Sequence, residues 1–127
     1  NNGTVADFWT EYISEIKECV KIGLKAGISP QKMVLDPGVG FGKTYEENLL
    51  VIQRLHELKK LGYPILLGTS NKSVIGLTLN LPVEERVEGT IATSVVGAMK
   101  GCNFIRVHDV KANVRAIKMV EAIINAG

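Results

Sequence analysis

Three times in this chain a short apolar run ends in polar residues and gives way to a helical pattern. That alternation constrains the fold more than any other feature. The runs are Met33–Leu35, Ile65–Leu67 and Phe104–Val107, with strands expected over 32–36, 65–67 and 104–108. Apolar residues at helical spacing predict helices over 45–61, 72–79, 84–100 and 111–125, and a leading helix over 4–26. One helix followed by three strand–helix repeats implies an α/β fold. Its parallel strands would be covered by helices and joined by right-handed crossovers.

In the leading helix, Val5, Phe8, Trp9, Tyr12, Ile13, Ile16, Cys19, Val20 and Leu24 form one stripe, with Thr4 as N-cap and Gly27 as stop. Aromatic rings mainly supply buried area, so Trp9 reads as core rather than as a cofactor platform. The second helix should turn Leu49, Leu50, Ile52, Leu55, Leu58 and Leu61 inward, leaving His56 solvated. Small residues along 89–98 suit close packing on a sheet. The last helix should bury Val114, Ile117, Val120, Ile123 and Ile124.

The strand ends carry the chemistry. The first run reads as a strand buried on both faces. Asp36 then stops it, and Pro37 cannot extend the ladder. Gly38, Gly40 and Gly42 follow, each free to take positive φ and to let a ligand approach the backbone. The loop fails as a Walker A motif because Pro37 occupies the first glycine position. It fails as a dinucleotide fingerprint because Lys43 occupies the last. A plain glycine turn capped by Asp36 is the bland alternative. After the second run comes Gly68-Thr69-Ser70-Asn71-Lys72-Ser73, where Ser70 or Asn71 could cap a short helix and Lys72 could be a site residue or merely solvated. In the third, Arg106 and His108 are two apart and share a side of the strand. Polar groups gathered at the C-terminal ends of successive parallel strands are how α/β proteins build sites. A carboxylate can take two parallel N–H donors, a lysine can meet a ring nitrogen or carbonyl, and an arginine can stack on a ring or grip phosphate. Together they suit a flat heterocycle bearing an anionic group.

The 127 residues are enough for one modest domain, and 22% charged with 46% apolar residues is a globular balance. A net charge of +2, scattered in sequence, gives no nucleic-acid surface. Cys19 and Cys102 are too few for a disulfide framework and read as free thiols of a reducing cytosol. No stretch is long enough to span a bilayer, and no leader pattern opens the sequence.

D-P-G-V-G-F-G-K-T, G-T-S-N-K-S and R-V-H-D-V, in this order and spacing, resemble the dihydropteroate synthases, as do the intervening P-V-E-E-R and G-T segments. The resemblance implies the C-terminal half of a (β/α)8 barrel. It also implies condensation of 6-hydroxymethyl-7,8-dihydropterin diphosphate with p-aminobenzoate, releasing diphosphate. By the same resemblance, Asp36 would take the pterin edge, and Phe41 would wall the aminobenzoate pocket. Lys72 and Ser73 would lie near the aminobenzoate, with Lys72 also touching the pterin. Gly68 would let the pterin lie against backbone, and Arg106 would stack on it and, with His108, hold the departing diphosphate. Asn71 stands where the family usually has arginine, which points to a divergent member. A whole barrel needs about 250 residues. The family's metal-binding and diphosphate-binding asparagine, and with it Mg2+, would therefore belong to a half not present here. The half barrel would be inactive alone and would pair as a homodimer or self-associate. Two other readings stay open: the pterin-binding domain of a corrinoid-dependent methyltransferase, and a non-catalytic interaction domain derived from the barrel.

Overall fold

The computed structural model describes residues 4–127, so the start at Asn1, Asn2 and Gly3 lies outside the described residues. The chain divides into two compact units, one ending at Met33 and the other beginning at Val34.

The first unit is built on α1 (Val5–Lys25), opened by the Thr4 cap. The Thr4 hydroxyl accepts from the Asp7 N–H, and the Asp7 carboxylate accepts from the Thr4 N–H, a reciprocal capping box. At the other end Gly27 takes φ +89°, Ile28 N–H bonds Gly23 O, and Gly27 N–H bonds Leu24 O, so the helix closes in a Schellman motif. Trp9 and Tyr12 are buried with ring centroids 5.3 Å apart, which bears out the core reading of Trp9. The stripe is not buried throughout: Val5 and Leu24 are exposed.

In the second unit the helices are α2 (Tyr45–Gln53), α3 (Leu55–Lys59), α4 (Ser73–Leu79), α5 (Val87–Met99) and α6 (Val110–Ile124). The strands β1 (Leu66–Leu67) and β2 (Phe104–Ile105) pair in parallel, Leu66 opposite Phe104 and Leu67 opposite Ile105. Leu35 adds a parallel bridge to Ile65 on the other side. Three extended segments therefore lie side by side in chain order, as the strand–helix alternation requires. They are shorter than expected. Pro30–Lys32 form a 3-10 turn, and only Leu35 of the first segment pairs. Val34 is half exposed, so that segment is not buried on both faces. The cause is local: proline at 30 begins the turn and proline at 37 has no N–H for the ladder. In the third segment the pairing ends at Ile105, although Arg106 N–H still reaches Leu67 O at 2.9 Å.

The core of this unit is made by Leu35, Ile65 and Leu67 from the sheet, Val51, Ile52, Leu55 and Leu58 from α2 and α3, and Val74 and Ile75 from α4. The helix expected over 45–61 breaks at Arg54 (φ −105°, ψ 21°), and Val51 is buried in place of the half-exposed Leu49. His56 is exposed, as read. The helix expected over 84–100 is likewise split, into a 3-10 turn at Val83–Glu85 and α5. α6 packs on α5, yet Val114, Ile123 and Ile124 are exposed and its buried residue is Asn113. The heptad-like spacing marks an apolar face correctly. It cannot say whether another element covers that face. Among the described residues no helix is long and apolar enough to cross a membrane. Cys19 and Cys102 are both free thiols.

Candidate functional site

The first loop is fixed from every side. Gly38, Gly40 and Gly42 take φ of +74°, +88° and +69°, where a side chain would be strained. Asp36 Oδ1 accepts from Gly38 N–H at 2.8 Å, and Asn48 Oδ1, from the buried face of α2, accepts from Gly40 N–H at 2.9 Å. Lys43 Nζ donates to Gly38 O (2.9 Å) and Phe41 O (3.3 Å). The loop-capping role of Asp36 is thus real. It does not exhaust the carboxylate: Oδ2 takes no hydrogen bond from the described residues, and the side chain is exposed.

The second loop reaches across to the first. The Lys72 stem runs past Gly40, and its ammonium donates to Val39 O at 2.7 Å, 4.8 Å from the centre of the Phe41 ring. Burial lowers the Lys72 pKa, and Arg106 and Lys43 add to this, while the Asp36 carboxylate acts in the opposite sense. Lys72 is therefore no free surface lysine. It sits among the charges of all three strand ends. Neither Ser70 nor Asn71 caps α4; Lys72 itself is the N-cap, without a side-chain bond. Asn71 instead adopts the left-handed conformation (φ +57°), which asparagine tolerates better than most residues. Its N–H donates to Thr90 Oγ1 at 3.0 Å, and its carbonyl takes Arg86 Nη1 at 2.9 Å.

The third segment continues the β1–β2 register past the last paired residues, so position 68 faces 106 and position 70 faces 108. The Arg106 guanidinium lies on the bare backbone of Gly68: a Cβ there would stand 3.1 Å from Nη2. His108 Nδ1 lies 2.8 Å from Ser70 Oγ, which also accepts the His108 N–H at 3.1 Å. Arg106 and His108 thus engage the same neighbouring loop, as their two-residue spacing predicts. Phe41 is 67% exposed, and Ser73 is the exposed first residue of α4.

Sequence reasoning missed Lys43, Asn48, Ser70 as the partner of His108, and the Arg86–Thr90 pair behind Asn71. Only Asn48 had a signal, a polar residue on the apolar stripe of α2. A polar pocket of about 180 Å³ opens between the Ser70–Asn71 turn, Glu84 and His108–Asp109. A second pocket, of about 170 Å³ between α2, α4 and α5, is apolar and lies apart from these groups.

A charged rim at the C-terminal ends of parallel, helix-covered strands is where α/β proteins, barrels among them, bind their ligands. The sequence pattern of the pterin binding enzymes matches residues 1–108, and the chain belongs to that family. The dihydropteroate synthase of Clostridium beijerinckii is 54% identical over 98% of this chain and 46% of its own. The structure of the Coxiella burnetii dihydropteroate synthase in complex with pteroic acid superposes with a TM-score of 0.94 at 38% identity, covering 98% of this chain and 46% of that one. That of Xanthomonas albilineans, in complex with 7,8-dihydropteroate, gives 0.91 at 34% identity over 98% and 49%. The helix-flanked parallel segments are a portion of the (β/α)8 barrel. The chain spans a little under half the length of these relatives.

Proposed function

We propose that the protein carrying this chain is a dihydropteroate synthase, and that the chain is the C-terminal half of its barrel. The observation that carries this reading is the convergence at Lys72. Its ammonium, on Val39 O and 4.8 Å from the Phe41 ring, feels Asp36 and Lys43 of the first strand end and Arg106 of the third together. In the reaction the C–O bond to diphosphate breaks, the arylamine nitrogen of p-aminobenzoate bonds to the exposed carbon, and the amine loses a proton. Asp36, with Oδ2 open, accepts the N–H edge of the pterin. Arg106 and His108 hold the leaving anion, where preorganised donors act most strongly. Lys72 meets the pterin across from Asp36. Gly68 keeps the backbone open to the ring, and Phe41, Lys72 and Ser73 border the aminobenzoate.

Mg2+ would assist departure of diphosphate in the complete enzyme. Among the described residues no three His, Cys, Asp or Glu side chains converge. By the family resemblance, the asparagine that would hold the ion belongs to the other half of the barrel. The free thiols Cys19 and Cys102 agree with a cytosolic enzyme. A homodimer would cover exposed apolar residues such as Met119 and Ile123. The methyltransferase reading needs neither Lys72–Ser73 nor Arg106–His108. The non-catalytic reading loses its local support, because Asn71 has a structural role at a left-handed position.

The test is dihydropteroate formation by the complete protein, with pterin binding followed by calorimetry. Asp36→Ala should weaken pterin binding by about 1.5–3 kcal/mol, the worth of a charge-assisted hydrogen bond. Unchanged pterin affinity would remove Asp36 from the site, and absence of product from the unsubstituted protein would remove the activity.

A further inference from the structure

The Ser70–His108 pair carries information that the residue types alone do not. Ser70 Oγ accepts the backbone N–H of His108 at 3.1 Å, so one lone pair is occupied and the hydroxyl proton remains to be placed. His108 Nδ1, at 2.8 Å, is where it can go. If Nδ1 carried a proton, two N–H groups would point at one oxygen and the hydroxyl would have to turn elsewhere. With a protonated Nδ1 the hydroxyl proton would need a third partner; the pair satisfies itself without one when Ser70 donates to an unprotonated Nδ1, which leaves the imidazole proton on Nε2.

The loop holds Ser70 for this purpose from both sides. Thr69, buried, bonds through its hydroxyl to that of Thr93 on α5. On the other flank, Asn71 is tied to Thr90 of α5 and to Arg86. Ser70 therefore stands between two anchored neighbours, opposite His108 in the continued strand register, and its backbone is held where the hydroxyl reaches the imidazole.

We propose that Ser70 is a positioning residue that fixes His108 in the neutral tautomer with its proton on Nε2. The imidazole then presents an N–H donor to the anion beside Arg106 without having to be charged. The inference rests on the reading of His108 as a ligand of the departing diphosphate, and it concerns how that ligand is set rather than that it binds.

The experiment uses the complete protein labelled with 15N-histidine at a pH where the imidazole is neutral, the His108 resonances being assigned by their loss in His108→Gln. Unsubstituted protein should show an unprotonated Nδ1 and a protonated Nε2. Ser70→Ala should mix the two tautomers and weaken binding of inorganic diphosphate about five- to tenfold, the loss expected when one orienting hydrogen bond goes. KM for p-aminobenzoate should not change. Ser70→Thr, which keeps the hydroxyl, should restore both tautomer and affinity. A proton on Nδ1 in the unsubstituted protein, or a Ser70→Ala variant with tautomer and diphosphate affinity intact, would overturn the proposal. The tautomer is read without turnover. Failure of the protein to make dihydropteroate would therefore overturn the functional reading and leave the positioning role standing.

Discussion

Gly68→Ala separates the placement of Arg106, and with it the open backbone under the ring, from the stability of the fold. Gly68 is buried, yet the three atoms nearest an added Cβ all belong to the Arg106 guanidinium, at 3.1 Å for Nη2, 3.3 Å for Nε and 3.5 Å for Cζ. The two shorter contacts are a few tenths of an ångström too tight, and the group that must give is the end of an exposed, flexible side chain. Position 68 is not among the positive-φ glycines, so alanine suits the backbone and restricts the unfolded chain, a gain of about 0.4–1 kcal/mol. That gain offsets the crowding, and the net change in stability should stay within about 1 kcal/mol. The displaced guanidinium should lose its charge-assisted contact with the leaving diphosphate, about 1.5–3 kcal/mol. The expected result is kcat/KM for the pterin diphosphate lowered about 10- to 100-fold in the complete enzyme. Calorimetric unfolding should show a transition close to that of the unsubstituted protein. A variant that unfolds several kcal/mol more easily, or one that turns over normally, would refute the reasoning: the first shows rigid packing at 68, the second that Arg106 need not lie there.

Three further outcomes are expected. Because burial disfavours its charged form, Lys72 should titrate below 10.5; the penalty on stability is full below its folded pKa and is relieved as pH rises from there through 10.5. Asp36→Asn removes the one opposing charge and should lower the midpoint again, read by pH-dependent amine labelling with mass spectrometry; a midpoint that rises would contradict the geometry. Burial pushes the Cys102 thiol up to about 11 against the pull of Lys59, so at pH 8 about a thousandth of it is thiolate and a disulfide reagent should modify exposed Cys19 well before it. Rapid modification of both thiols would show that Cys102 is not enclosed. The 127-residue chain alone should self-associate at tens of micromolar, because Val34 and Phe104 on the outer strand segments and Met119, Ile123 and Ile124 on α6 are exposed; a clean monomer by light scattering would count against this.

Much of the local structure is legible because its causes are local. Thr4 with Asp7 and Thr44 with Glu47 form capping boxes, and the glycines at 27, 38, 40 and 42 all take the positive φ that their positions imply. Where the sequence misleads, the deciding interaction comes from elsewhere. Arg54 breaks a helix with no proline or glycine to announce it, and α6 leaves exposed an apolar face that its periodicity marks for burial. Asn71 has the composition of a cap but is drawn into the left-handed region by Arg86 and Thr90, fifteen and nineteen residues away. The site shows the same division. Asp36, Lys72, Arg106 and His108 could be picked out because they gather at the ends of the apolar runs, whereas the Ser70–His108 bond spans 38 residues and follows only from the strand register.

The register also explains why the rim is charged as it is. Lys43 and Lys72 turn their ammonium groups onto carbonyls of the glycine loop, and Arg106 covers Gly68, so three cations are held near one carboxylate, Asp36. Burial first, and then the like charges of Arg106 and Lys43, lower the affinity of Lys72 for its own proton against the pull of Asp36. An arrangement that disfavours its own charge in the free protein is stabilised by a ligand bearing compensating charge. A neutral heterocycle would satisfy Asp36 and leave the repulsion among the cations in place. A heterocycle carrying a diphosphate satisfies Asp36 at one end and relieves the cations at the other. On the proposed reading, the hold on the heterocycle would weaken once the diphosphate has gone, because the cations at the rim would again lack a compensating charge.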